Sequence, residues 1–132
     1  MAINVRTKGK CGERDVVKML ATAFPQRDFK RNLREQAADG GVDILVEPAG
    51  KWAIEVKRCK AYRHEWWRQA VAQGKRTNKL PVLIYRLDRH AWQAEVPLSA
   101  LTGDVAGREV KVTMPLEAWI VHVSAYGASD GK

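Results

Sequence analysis

Read from its N-terminus, the chain shows no apolar periodicity over residues 1 to 10, where Arg6, Lys8 and Lys10 flank Gly9. A solvated, mobile basic arm is expected there. From Glu13 the apolar positions Val16, Val17, Leu20, Ala21 and Phe24 recur at helical spacing until Pro25, which predicts a first helix. Asp28 to Arg34 alternates weakly through Phe29 and Leu33 and predicts a partly exposed strand. After the turn signal Asp39-Gly40-Gly41 come two strand-like runs, Val42 to Val46 and Trp52 to Lys57, separated by Pro48-Ala49-Gly50. Tyr62 to Arg76 has no proline and carries Trp66, Trp67, Ala70, Val71 and Gly74 on adjoining helical positions, so a second helix is expected.

Beyond Pro81, Val82 to Tyr85 is an apolar run of strand length, and Ala91 to Val96 alternates with period two up to Pro97. Leu98 to Gly107 reads as loop or one helical turn, Glu109 to Thr113 as a short strand, and Pro115 to Val123 as either helix or strand. Ser124 to Lys132, rich in Gly, Ser and Ala, reads as a flexible tail. The order α-β-β-β-α-β predicts an α/β fold, a mixed central sheet flanked by helices. The expected organisation is a basic arm over 1–10, a single domain over 11–123 and a tail over 124–132.

Length and charge narrow the classes. With 132 residues the chain has room for one core. Its 23 Lys plus Arg against 15 Asp plus Glu leave a formal charge of +8, which points to a polyanionic partner. No run approaches the roughly 18 apolar residues of a spanning helix, and Met1 to Arg6 has no signal-peptide core, so a cytoplasmic protein without membrane contact is expected. Cys11 and Cys59 are too few and too far apart for a zinc cluster and read as free thiols. His64, His90 and His122 lack ligand spacing.

The chemistry concentrates in the two central strands. Side chains alternate along a strand, so Glu55 and Lys57 share one face while Ile54 and Val56 take the other. A strand-edge ion pair would explain these two alone. Asp43, placed after two glycines at the start of the preceding strand, can come beside Glu55 across a hairpin connection. Two converging carboxylates suit Mg²⁺, with Mn²⁺ able to substitute.

Glu13, then Gly41-Val42-Asp43-Ile44, then Ile54-Glu55-Val56-Lys57 resembles the PD-(D/E)XK nuclease superfamily, including the archaeal Holliday-junction resolvases. Lys8-Gly9-Lys10, Lys30 to Arg34, Trp66 to Ala70 and Pro81 to Arg86 look like phage and prophage resolvase-type members, so the resemblance covers roughly residues 5 to 101. Val42 stands where the motif has proline, a position that binds no metal.

The resemblance implies a restriction-endonuclease-like αβββαβ core. It also implies a metal held by Asp43, Glu55 and the carbonyl of Val56, with Glu13 completing the shell directly or through water. Lys57 would orient or activate the water that the cation carries. Gln69, on the helix after the motif, is an auxiliary candidate, although a surface amide is the plainer reading. Lys8, Lys10, Arg31, Arg34, Arg58, Lys60, Arg68, Lys75, Arg76 and Lys79 flank these residues in sequence and form the candidate DNA contacts. Trp66 and Trp67 read as core residues.

The implied activity is a metal-dependent, structure-selective endonuclease that resolves four-way junctions by paired nicks. The alternatives are a nuclease of flaps, ends or duplex DNA, a non-catalytic DNA-binding module, and a protein scaffold whose charge is incidental. Because one domain offers one metal site and a junction needs two opposed cuts, a homodimer is expected. Val82 to Val96, an apolar run followed by Trp92, is the candidate pairing surface, the alternative being that these are simply interior strands.

Overall fold

The computed structural model describes residues 5–32, 43–47, 50–102 and 110–123, with side chains from residue 12 onward. Arg34, Val42, the Asp39-Gly40-Gly41 turn, the tail from 124, and the side chains of Lys8 and Lys10 lie outside what it describes.

The first helix, α1 (Val5–Ala23), starts well before the expected Glu13, so residues 5–10 of the expected basic arm are helical. That stretch lacks proline, and Arg6, Lys8 and Lys10 are good helix formers, so nothing stops the helix from running back beyond its apolar stripe. Gly12 is a contact point within it: a Cβ there would lie 3.4 Å from both Arg58 Cβ and the Trp92 ring, in van der Waals contact with the sheet side of the helix.

β1 (Asp28–Arg31), β2 (Ile44–Glu47), β3 (Trp52–Cys59), β4 (Leu80–Leu87), β5 (Gln93–Pro97) and β6 (Lys111–Pro115) form one sheet in sequential order. Among the described strands only β3 and β4 run parallel, and α2 (His64–Thr77) makes the crossover between them. The other neighbours are antiparallel, which gives the mixed sheet expected. After β5 comes the single turn α3 (Ser99–Thr102), and after β6 comes α4 (Leu116–His122). The ambiguous final segment is therefore helical, because Leu116 and Trp119, three residues apart, bury one side of α4 on the sheet.

Pleat parity divides the core. Val16 and Leu20 of α1, with Leu116 and Trp119 of α4, cover the face formed by Ile44, Ile54, Val56, Val82, Ile84, Ala94 and Val96. Trp66 and Ala70 of α2 cover the opposite face at Leu83 and Tyr85. Val82, Ile84, Ala94 and Val96 are wholly buried inside the subunit, so these apolar positions of the expected pairing segment are core residues, whereas residues 86 to 93 between them, Trp92 included, are half-buried or exposed. Such a run marks a strand covered on both faces as readily as an interface.

α2 ends on Asn78, in the left-handed region at φ 56°, whose backbone N–H reaches back to the last-turn carbonyls. Gly74 lies against the chain that follows: a Cβ on it would fall 2.7 Å from the Lys79 carbonyl oxygen. The helix is thus pinned against the entry to β4, which fixes the height of its inner residues over β3 and β4.

Candidate active site

β2 and β3 share a single register pair, Ile44↔Ile54, whereas β3 and β4 stay paired from Trp52 to Cys59. Past Ile54, among the described residues, it is Asp43, one residue before β2, that meets the edge of β3 facing β2. Its backbone N–H donates to the Ile54 carbonyl at 3.1 Å, and its Oδ2 accepts the Val56 N–H at 2.8 Å. The N–H and C=O of a strand residue point to the same side, so the Val56 carbonyl points to this edge as well. A carboxylate oxygen, a main-chain carbonyl and the start of the Glu55 side chain thus share one splayed corner.

Glu55 and Asp43 are each only 5% exposed. Glu55 is pushed up to about 8, first by burial and then by the Asp43 charge, against the opposing pull of Lys57 and Gln73. Lys57 Nζ lies 3.5 Å from Glu55 Oε2 and stays partly exposed, so its ammonium stands between the buried acid and solvent. Glu55 Oε1 is buried with no hydrogen-bond partner among the described residues. A buried carboxylate oxygen without a donor is costly, and a cation is one way to satisfy it. The donors therefore fit a hard divalent cation: two carboxylates, a free oxygen on one of them, and a carbonyl aimed at the same corner.

Glu13 does not join them. Its Oε1 accepts from Arg31 Nε at 3.1 Å, and among the described residues no group of three or more His, Cys, Asp or Glu side chains gathers. The contact the structure gives Glu13 is thus with the β1 arginine, which was expected to meet DNA.

A second buried acid on the same sheet face serves as a contrast. The register aligns Glu55, Leu83, Glu95 and Thr113 across four strands. Glu95 is 3% exposed, but it accepts from Tyr62 Oη at 2.8 Å and Thr113 Oγ1 at 2.9 Å and pairs with Lys111 at 3.4 Å. Burial, with Glu95 alongside, pushes Tyr85 up to about 12. This satisfied network ties the approach to α2 to β5 and β6. Among the described residues Glu55, unlike Glu95, keeps a buried oxygen without a hydrogen-bond partner, and that difference makes its corner the candidate site.

A model of the family described as "Phage putative PDDEXK endonuclease" matches residues 4–117, most of the chain. The chain belongs to this phage PD-(D/E)XK endonuclease family. It is therefore a nuclease, a phosphodiester hydrolase acting on DNA. The nuclease also resembles in fold the Holliday junction resolvase Hjc of the archaeal hyperthermophile Archaeoglobus fulgidus, with a TM-score of 0.54 at 21% identity, over 86% of this chain and 96% of that one. No curated protein matches it in sequence.

Of the candidate DNA contacts on the endonuclease, Lys60, Arg68, Lys75 and Arg76 are exposed, three of them on α2. Lys79 is half-buried. Arg58 has the parity of Val56 and packs under α1 at Gly12, on the face away from Glu55. Gln69 is exposed, as the plainer reading had it, and the amide at the site is Gln73, one turn further along. Gln73 belongs to the buried stripe Trp66, Ala70, Gln73, Gly74, and that spacing was the available signal. Trp66 is in the core and Trp67 is half-buried beside it.

Proposed function

We propose that this endonuclease is cation-dependent and selective for branched DNA, resolving four-way junctions as a homodimer. The observation that carries the cation dependence is the buried Asp43 and Glu55 pair with the free Glu55 oxygen, beside the out-turned Val56 carbonyl and the partly exposed Lys57. Mg²⁺ is the expected ion, held by Asp43, Glu55 and the Val56 carbonyl. When bound it supplies positive charge against the phosphoryl oxygens and lowers the pKa of the attacking water.

The chain's own residues supply the rest. Lys57 donates toward the reacting phosphate and orients the water for in-line attack. The water oxygen bonds to phosphorus as the bond to the leaving ester oxygen breaks, the water's proton passes to solvent, and a proton from solvent neutralises the leaving oxygen. Asp43, locked by the Val56 N–H, holds its place in the corner without moving. Arg68, Lys75 and Arg76 on α2, with Lys60 after β3, grip the backbone to either side, and Lys8, Lys10 and Arg34 extend the basic surface. Arg31 reaches DNA from its pairing with Glu13.

Preference for a four-way junction is supported by the fold shared with a Holliday junction resolvase and by the resolvase-like motif succession. One active corner per subunit supports pairing, since two opposed cuts need two corners. The family points to action inside a bacterial host, and no helix among the described residues is long and apolar enough to cross a membrane.

The test is to incubate the purified protein with four-way junction, flap, nicked and linear duplex DNA in Mg²⁺, Mn²⁺ or EDTA and to map the cuts. Symmetric nicks near the crossover, lost in EDTA, are expected. Asp43→Asn and Glu55→Gln should abolish cleavage while junction binding stays within a fewfold of wild type. Near wild-type cutting by either variant in Mg²⁺ would remove it from the site, and exclusive cutting of flaps or linear duplex would replace the junction as substrate.

A further inference from the structure

A cation of the Mg²⁺ class takes about six oxygens, and water fills only the positions that the protein leaves open. Asp43, Glu55 and the Val56 carbonyl account for three donors. Glu13, the expected next side chain, is held by Arg31 on the β1 side of the corner. On the α2 side stands Gln73, 9% exposed.

The Gln73 side chain hydrogen-bonds Glu55, while its own side-chain oxygen is buried without a hydrogen-bond partner among the described residues. Glu55 Oε1 has none there either. One buried oxygen on each of two hydrogen-bonded side chains is thus left without a donor, and a cation placed against both would satisfy them. Lys57 does not fill that role, because its ammonium is on Oε2, the other oxygen of Glu55. Position is not left to chance: Trp66 and Ala70 seat the helix on Leu83 and Tyr85, and Gly74, the next residue, presses on the backbone at Lys79. Gln73 is thus presented to the corner by a helix with little room to shift.

We propose that the side-chain oxygen of Gln73 joins Asp43, Glu55 and the Val56 carbonyl as a ligand of the divalent cation, so that the third side-chain donor comes from α2 and not from Glu13 on α1. This rests on the cation-dependent reading above and specifies its donor set. Charge agrees with it. Two carboxylates balance a divalent ion, and a neutral amide adds an oxygen without making the corner anionic before a phosphate arrives. A third carboxylate would oppose the incoming DNA.

The experiment titrates Mn²⁺ into the full chain without DNA and follows the free aqua ion by electron paramagnetic resonance, for wild type, Gln73→Leu, Gln73→Glu and Glu13→Gln. Gln73→Leu should weaken binding by about 10- to 100-fold, as loss of a metal-site partner does. Gln73→Glu should hold or tighten it, because an oxygen remains at the same place. Glu13→Gln should lose less than Gln73→Leu.

Wild-type affinity in Gln73→Leu would overturn the assignment. So would a folded Gln73→Glu that binds as weakly as the leucine variant, since that result means the residue serves only as an amide donor to Glu55. A loss in Glu13→Gln equal to that in Gln73→Leu would return the third position to Glu13. Should Gln73→Leu fail to fold by circular dichroism, the Gln73→Glu and Glu13→Gln arms decide against wild type. Cation-dependent cutting that fails in Asp43→Asn keeps the nuclease reading intact whatever these variants show, whereas a wild type that binds no Mn²⁺ overturns both.

Discussion

Glu55 is the residue whose chemistry depends most on its surroundings. A carboxyl raised from 4.5 to about 8 keeps its proton in the native state over a range where the unfolded chain has lost it. Its contribution to stability is therefore complete below pH 4.5 and is lost as pH rises through about 8. A cation must displace that proton, so cation affinity should climb by up to about tenfold per pH unit and level off near pH 8. Calorimetry in buffers of different ionisation enthalpy should find about one proton released per ion bound below that pH. A flat affinity between pH 6 and pH 8 would show that Glu55 is not a ligand. Lys57→Ala should keep the cation and lose the rate by about 10²- to 10⁴-fold, the usual worth of a positioned proton-transfer or orienting group. Cleavage at the wild-type rate in single-turnover assays would make Lys57 a surface partner of Glu55 only.

At the scale of elements, α2 joins fold to site. The helix carries Trp66 and Ala70 into the core, Gln73 toward Glu55, and Arg68, Lys75 and Arg76 toward solvent. Its seating depends on Gly74, where an added methyl would meet the Lys79 carbonyl oxygen at 2.7 Å. Backbone cannot yield as a side-chain tip does, so Gly74→Ala should destabilise the protein by about 1–3 kcal/mol despite the better helix propensity of alanine. Urea unfolding at pH 7 reads this directly, and a variant as stable as wild type would show that the helix has slack. The exposed Gln69 and the buried Gln73 differ by one turn, which is enough to exchange solvent for the corner. The apolar stripe through Trp66, Ala70 and Gly74 identifies Gln73 as the inward amide, because it falls on that stripe and Gln69 does not.

For the whole molecule, charge and symmetry govern the encounter with DNA. A formal charge of +8 predicts binding that weakens steeply with salt, as each neutralised phosphate releases condensed counterion. Fluorescence anisotropy over a KCl series should give a linear fall of log affinity with log salt, and a flat line would exclude backbone recognition. Pairing is tested by mixing wild type with Asp43→Asn on a junction that reports single and paired nicks separately. Mixed dimers should produce single nicks and suppress paired ones. A monomer by light scattering that still makes both cuts in one binding event would refute the dimer.

The local pattern of the chain determined much of this. Alternation along β3 placed Glu55 and Lys57 on one face and Ile54 and Val56 on the other, because pleat parity needs no partner strand. The same rule sends Arg58 away from Glu55, although its charge and nearness in sequence had put it among the DNA contacts. Helical spacing placed α1 and α2 and left the end of the chain open between helix and strand, since Pro115 is compatible with both. Only the tertiary structure decided the rest, each point resting on a meeting of distant residues. The pairing of Ile44 with Ile54 brings Asp43 onto Val56. Arg31, eighteen positions from Glu13, takes that carboxylate. Packing of α2 brings Gln73 to Glu55, and the sheet encloses Val82, Ile84, Ala94 and Val96 in its centre. Periodicity records which way a residue faces along its own element, whereas its partners are set by how elements pair and cross, and no local window of sequence contains that.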